Sequence, residues 1–185
     1  LNISHNIITQ YSFFGVTLFG ASYSSPATSG HVIDDNLITD MGTYDAGSGA
    51  DYWGGGVLLY NNQYAAVTNN VMTNVRIGVQ TGNYSQANPG STAYQMISNN
   101  TMSVRRRGIF HNLFYSAASG YTLSNNTITG VAAGAWETRW DGILMSSQSV
   151  ANTASGNNVD GSGITYNPIG LQVWNVKNVS PSALS

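Results

Sequence analysis

The sequence predicts an all-β solenoid, a parallel β-helix, and three observations support this class. Short apolar runs recur along the 185-residue chain at intervals of 26–34 residues. Each run is followed by a second short run that begins with glycine. Gly and Asn separate these runs, and the 3.6-residue spacing of an amphipathic helix is not seen. Each repeat therefore predicts one coil of two or three short strands, with coils stacked about 4.8 Å apart.

The first block of the repeat is centred on an asparagine. The aligned asparagines are Asn6, Asn36, Asn70, Asn100, Asn126 and Asn158. An apolar residue lies three positions before each asparagine and another two positions after it, except in the last block, where Ser155 and Asp160 take these places. Asn tolerates the left-handed backbone region, and its amide can bond to the coils above and below. We expect these asparagines to lie at a sharp turn and to form a ladder.

The second block predicts a buried column that runs through all the coils. Its second position is occupied by Val16, Val57, Val79, Ile109, Ile143 and Leu171. One branched apolar residue per coil at the same place is typical of an inward-facing ladder. His111 shares the inward parity of this strand, which favours a core histidine with one hydrogen-bond partner over a general base.

Composition indicates a folded chain without a general affinity for nucleic acid. Hydrophobic residues make up 42% of the chain, charged residues 8%, and the net charge is −2. Disordered chains combine low hydrophobicity with high net charge, and nucleic-acid binders are basic. The chain has no cysteine, and none of its apolar runs is long enough to span a bilayer.

The domain organisation follows from the repeat. We interpret residues 1–185 as a single β-helix domain and residues 176–185 as a linker that leaves it. The chain opens directly within the first repeat, so we expect a fragment of a longer extracellular protein.

The pattern N-x-[IM]-[TS] followed by G-[VI] resembles the right-handed parallel β-helix superfamily, the pectate-lyase-like fold, over nearly the whole chain. The resemblance implies right-handed winding in about six coils and a secreted or cell-surface protein. That superfamily includes lyases, glycoside hydrolases, epimerases, phage tailspikes and adhesins, so the resemblance leaves the activity open. We expect a domain that engages an extracellular polysaccharide along one side of the rod, as part of a polysaccharide lyase, a glycoside hydrolase or an adhesin. The alternative is a structural or filament-forming surface scaffold with end-to-end self-association, because open coil ends need covering.

Two long loops predict which side of the rod binds a ligand. The loops of coils two and five carry Trp53 and Trp140 and leave the rod at the same turn. Between them, Arg76 and Arg106 align on coils three and four. A guanidinium group can hold a carboxylate or sulfate in two places, and indole faces suit the C–H faces of sugars. We predict a ligand-binding strip of these four residues, with ordinary solvated turn residues as the alternative.

Catalytic residues are harder to assign from the sequence. The candidates are Arg106, Glu137, Asp141, Asp34 and Asp35. Paired carboxylates can cleave glycosides, but the two consecutive aspartates occupy strand-end positions of the repeat, which favours a solvated role. An arginine could abstract a proton in β-elimination, as the resemblance implies. We predict no cofactor, because no cluster has zinc-ligand spacing and the Asp45–Asp51 loop, where calcium could bind, lacks a dense acidic pattern.

Overall fold

The computed structural model describes residues 1–10, 13–19, 30–40, 54–60, 64–83, 94–113, 118–132, 138–146, 148–150 and 152–174. These residues form eighteen strands: β1 Asn2–Ser4, β2 Ile7–Thr9, β3 Phe14–Phe19, β4 Val32–Asp34, β5 Leu37–Thr39, β6 Gly55–Tyr60, β7 Ala66–Thr68, β8 Val71–Asn83, β9 Met96–Ser98, β10 Thr101–Leu113, β11 Ala118–Ser119, β12 Thr122–Ser124, β13 Thr127–Gly130, β14 Trp140–Ser146, β15 Gln148–Val150, β16 Thr153–Ser155, β17 Asn158–Asp160 and β18 Pro168–Trp174.

The strands stack as a parallel β-solenoid, which confirms the predicted fold class. Sheet A has the order β1-β4-β7-β9-β12-β16, one strand from each coil. Sheet B has two arms, β2-β5-β8-β10-β13-β17 and β3-β6-β8-β10-β14-β18, which share the long strands β8 and β10. All these pairs are parallel, and β11 pairs with β15 in a small third sheet.

The solenoid has about four turns rather than the six coils that the repeat predicts, although each of the six repeats supplies one strand to sheet A. The difference is minor and does not alter the architecture. The right-handed winding stays a prediction.

Three continuous apolar columns fill the interior of the solenoid. The predicted column is confirmed by register, since Val16 pairs with Val57, Val57 with Val79, Ile109 with both Val79 and Ile143, and Ile143 with Leu171. The other two columns run through sheet A from Ile3 to Ala154 and through the first arm of sheet B from Ile8 to Val159. Parallel stacking places equivalent residues directly above one another, so one apolar residue per repeat builds a column.

The asparagine ladder is present, but it differs from the prediction at two points. Asn6, Asn36, Asn70, Asn100 and Asn126 each donate the backbone N–H and the side-chain amide to the Oδ1 of the asparagine in the next coil, at 2.8–3.1 Å. The sixth member is Asn157, one residue before the predicted Asn158. The sixth repeat is therefore regular, with Ala154 and Val159 at its apolar positions.

The left-handed turn residue is the one before each ladder asparagine. His5, Asp35, Asn69, Asn99 and Asn125 have φ between 53° and 58°, and Gly156 has φ of 63°. The prediction that the ladder asparagine itself adopts this conformation is wrong. The two residues have different roles: the exposed left-handed residue forms the turn between a sheet A strand and a sheet B strand, and the following asparagine uses its amide inside the stack.

The second arm of sheet B is buried on both faces. Val57, Val79, Ile109 and Ile143 face the interior, while Leu58, Phe110 and Leu144, the residues that follow three of them, are also almost completely buried. Successive side chains of a strand point to opposite faces, so these residues lie on the outer side of the sheet.

Candidate functional site

One corner of the solenoid collects most of the positive charge of the chain. The chain has six Lys and Arg residues, and five of them are Arg76, Arg105, Arg106, Arg107 and Arg139. They lie where β8 and β10 pass from the first to the second arm of sheet B and where β14 begins. We name this group the arginine corner. It spans coils three, four and five.

Two register shifts determine how the arginines align. Met102 pairs with Met72 and Val104 with Val75, so β8 has one extra residue there, and Asn74 adopts φ of 55° within it. Arg107 then pairs with Ile77, so β10 has one extra residue in the next step.

As a result, Arg105 and Arg106 together lie opposite the single Arg76. A β-bulge of this kind redirects side chains, and bulges are common next to functional sites. The predicted one-to-one alignment of Arg76 with Arg106 is therefore incomplete, because Arg105 shares the position.

Asp141 is the buried counter-ion of the corner. Its Oδ2 lies 3.3 Å from Arg107 Nε, and its Oδ1 accepts hydrogen bonds from Arg139 Nε at 2.8 Å and Nη2 at 2.6 Å. Arg107 also lies over the ring of Phe110, with Cζ 4.2 Å from the ring centroid. The Asp141 carboxylate is fully buried, and a buried charge needs paired, hydrogen-bonded partners to be tolerated. Asp141 therefore neutralises two arginines of the corner, a role that differs from the catalytic one considered from the sequence.

The arginines of the corner differ in exposure. Arg76, Arg105 and Arg139 are partly exposed, whereas Arg106 and Arg107 are buried. Arg105 Nη2 donates to the carbonyl of Asn74 at 3.4 Å. Arg106, which the sequence predicts as a ligand-binding residue, is buried, whereas Arg105 is partly exposed.

Trp140, which the sequence predicts as part of the ligand-binding strip, lies in the core. Its indole is completely buried, and its Nε1 donates to the carbonyl of Val104 at 3.2 Å. Gly130 and Gly161 make room for the ring, since a Cβ at either position would lie 3.1 Å from an indole carbon. A buried indole has no face to offer a sugar. Trp53 and Glu137, the other residues predicted from the two long loops, lie outside the described residues.

Asp34 and Asp35 lie at the turn between β4 and β5, on different strands from Asp141. Asp34 accepts hydrogen bonds from Thr68 Oγ1 at 2.5 Å and from Asn69 Nδ2 at 2.8 Å, and these two bonds hold its pKa below the usual value. Asp35 is exposed in the left-handed conformation, with Oδ2 3.3 Å from His5 Nε2. A carboxyl group with a lowered pKa is a poor general acid, so the solvated structural role expected from the repeat fits better.

His111 is a core residue, as its parity predicted. It is fully buried, its Nδ1 lies 2.5 Å from Thr81 Oγ1, and its ring makes an edge contact with Tyr121 at 4.7 Å. The Tyr121 hydroxyl donates to Thr81 Oγ1 at 3.3 Å. Burial lowers the pKa of His111 to about 3, so the ring is neutral at physiological pH. The sequence indicated the position of His111 but not the polar contacts around it.

Within the described ranges, no three His, Asp or Glu side chains are grouped closely enough to hold a metal ion. The Asp45–Asp51 loop, where calcium was considered, lies outside those ranges. The described residues also contain no helix long and apolar enough to cross a bilayer.

Comparison of the chain with protein-family models, with curated proteins and with solved structures finds no match. The solenoid fold therefore rests on the strand register and the ladder described above. The resemblance to the pectate-lyase-like superfamily remains a resemblance of the repeat.

Proposed function

We propose that this protein binds an anionic extracellular polysaccharide at the arginine corner. The observation that carries the proposal is the collection of five of the six basic side chains on three successive coils at one corner of the rod. The sequence has one further basic residue, Lys177, so the local positive potential has few competitors elsewhere on the molecule. An extracellular or cell-surface location is part of the same proposal.

The stacking of the coils suits a linear polymer with regularly spaced anionic groups. Arg76, Arg105 and Arg139 are partly exposed residues on coils three, four and five, and successive coils are about 4.8 Å apart. Guanidinium groups bind carboxylate and sulfate through two parallel N–H donors. The buried Arg106 and Arg107 add to the positive electrostatic potential of the corner, and Asp141 offsets part of this potential.

The proposal is binding rather than cleavage. Asp141 is the described carboxylate of the corner, and it is buried and bonded to two arginines. Such a group balances charge, and it is poorly placed to exchange a proton with a substrate. If the protein is a polysaccharide lyase or a glycoside hydrolase instead, incubation with uronate polymers will release shorter chains, which size-exclusion chromatography detects.

The test is calorimetry with uronate and sulfated oligosaccharides on wild type, Arg105→Ala, Arg105→Lys and Thr73→Ala. A charge-assisted hydrogen bond contributes roughly 1.5–3 kcal/mol, so Arg105→Ala should weaken binding by about one to two powers of ten. Arg105→Lys keeps the charge and should lose less, and Thr73→Ala, an exposed position on β8, should bind like wild type. Added salt should reduce the affinity. Equal affinities for wild type and Arg105→Ala, or heats that do not depend on salt, would contradict the proposal.

A structural scaffold is the second candidate function. Among the described residues, the first and last strands of each stack pair on one side only, and open sheet edges favour stacking on neighbours. A scaffold would bind none of the oligosaccharides, so the same calorimetry separates the two candidates.

A further inference from the structure

The carbonyl oxygen of Arg105 lies where β10 departs from the regular ladder. Val104 pairs with Gly130 of β13, and the next residue of β10 that pairs with coil five is Arg107, opposite Asp141 of β14. Arg105 lies between these two pairs, in the step where β10 has one extra residue relative to β8. A bulge takes backbone groups out of the strand ladder, and a carbonyl shielded from water then needs another donor. The donor to Arg105 comes from outside the repeat pattern.

Tyr166 of coil six supplies this donor. Its hydroxyl donates to the carbonyl oxygen of Arg105 at 2.5 Å, across 61 positions of the sequence. The same hydroxyl lies 3.5 Å from the carbonyl oxygen of Val131, and because a phenol has one hydrogen to donate, the shorter contact is the main bond. The preceding carbonyl of β10, that of Val104, accepts from Trp140 Nε1 at 3.2 Å. Two aromatic donors therefore hold consecutive carbonyls at the bulge.

The segment that carries the tyrosine is anchored on both sides of this contact. We name residues 161–167, between β17 and β18, the coil-six brace. Ile164 is buried, and Gly130 makes room for it, since a Cβ on the glycine would lie 2.5 Å from Ile164 Cγ1. Asn167 donates from Nδ2 to the carbonyl of Thr138 at 3.1 Å. The tyrosine ring between these anchors is half-buried and packs against the hydrophobic core, so its hydroxyl reaches the bulge from a fixed position.

We propose that Tyr166 is a positioning residue for ligand binding at the arginine corner, because it fixes the β10 bulge and thereby holds Arg105 in its partly exposed position beside the buried Arg106. This inference rests on the proposed function of the corner. Ordering a binding side chain before the ligand arrives reduces the entropy cost of association. A bulge without the Tyr166 bond would leave the backbone of Arg105 to be ordered at each binding event, so the affinity should fall although Tyr166 itself does not contact the ligand.

The test is calorimetry with uronate and sulfated oligosaccharides on Tyr166→Phe, which removes only the hydroxyl group. Loss of this one hydrogen bond should weaken binding roughly three- to tenfold. In the Arg105→Ala background the same change should have no further effect, because a residue that acts through Arg105 then has nothing to position. Tyr121→Phe is the matched control. It removes a hydroxyl that donates to Thr81 Oγ1 in the core, so it should lower the melting temperature and leave the affinity unchanged.

Amide hydrogen exchange measured by mass spectrometry gives a second readout that needs no ligand. In Tyr166→Phe, the amides of residues 103–107 should exchange faster than in wild type, whereas those of residues 77–82 should not change, and Tyr121→Phe should leave residues 103–107 as in wild type. Equal affinities of wild type and Tyr166→Phe, an equal loss in the Arg105→Ala background, or unchanged exchange at the bulge would each overturn the proposal. A wild type that binds no oligosaccharide contradicts the proposed function, and the exchange result then decides by itself whether Tyr166 fixes the bulge.

Discussion

The buried asparagine ladder should be a principal source of stability, and Asn100→Ala tests it most directly. Asn100 is buried in the middle of the ladder and makes five side-chain hydrogen-bond contacts, in which the two hydrogens of Nδ2 are shared among three acceptors. Its Oδ1 accepts from Asn70 N and Nδ2, both at 3.0 Å, and its Nδ2 donates to Val67 O at 2.8 Å, Ser98 O at 3.1 Å and Asn126 Oδ1 at 3.0 Å. Alanine removes all five and leaves buried partners in three coils.

The magnitude follows from this set of bonds. Each intramolecular hydrogen bond contributes about 1 kcal/mol net, and an unsatisfied buried partner costs more, so the loss should be on the order of 5 kcal/mol. That is comparable to the whole free energy of unfolding of a small domain, roughly 5–15 kcal/mol. Asn6→Ala is the matched control. Asn6 is exposed and loses two amide bonds that water can replace, so we expect about 1 kcal/mol or less.

The assay is equilibrium unfolding in urea, followed by circular dichroism, on wild type and both alanine variants. The expected order of midpoints is wild type, then Asn6→Ala, then Asn100→Ala far below or already unfolded. Equal losses for Asn6→Ala and Asn100→Ala would refute the reasoning, because the two differ chiefly in burial and in the number of bonds.

Three further predictions concern the core. Ile109→Asp buries an unpaired charge beside Val79 and Ile143 and should prevent folding, so a soluble variant with unchanged circular dichroism and cooperative unfolding would contradict the fold. The folded pKa of His111, about 3, lies below its usual 6.5, so the free energy of unfolding should fall by about 1.4 kcal/mol per pH unit from pH 6.5 down to about 3. In urea unfolding, the free energy of unfolding of His111→Gln should depend less on pH within that range. An unchanged pH dependence would show that other titrating groups cause it. Gly108→Ala should lower the melting temperature strongly, because its Cβ would lie 2.4 Å from the Gly142 carbonyl oxygen, whereas Gly170→Ala has open space among the described atoms and should melt like wild type.

The regular part of the fold could be predicted from the repeat. The column through Val79, Ile109 and Ile143 has the register that the sequence alignment gave, as do the first five ladder asparagines. In a parallel stack, equivalent positions of the repeat become neighbours in space, so sequence periodicity converts directly into contacts.

The sixth repeat was misaligned because two asparagines stand together there. Aligning Asn158 left Ser155 and Asp160 at apolar positions, whereas Asn157 restores Ala154 and Val159. Gly156 was the available signal, since a residue suited to positive φ precedes every ladder asparagine.

The sequence by itself determined the solenoid, its columns and the coils that carry the arginines, because these depend on which residue recurs at which interval. Only the tertiary structure decided which arginines reach the surface and where Trp140 lies. One extra residue in β10 puts two arginines opposite Arg76, of which Arg106 is buried and Arg105 partly exposed. Two distant glycines open the space that the indole fills. Such bulges and cavities arise from the fit between neighbouring coils, so the sequence of a single repeat does not predict them.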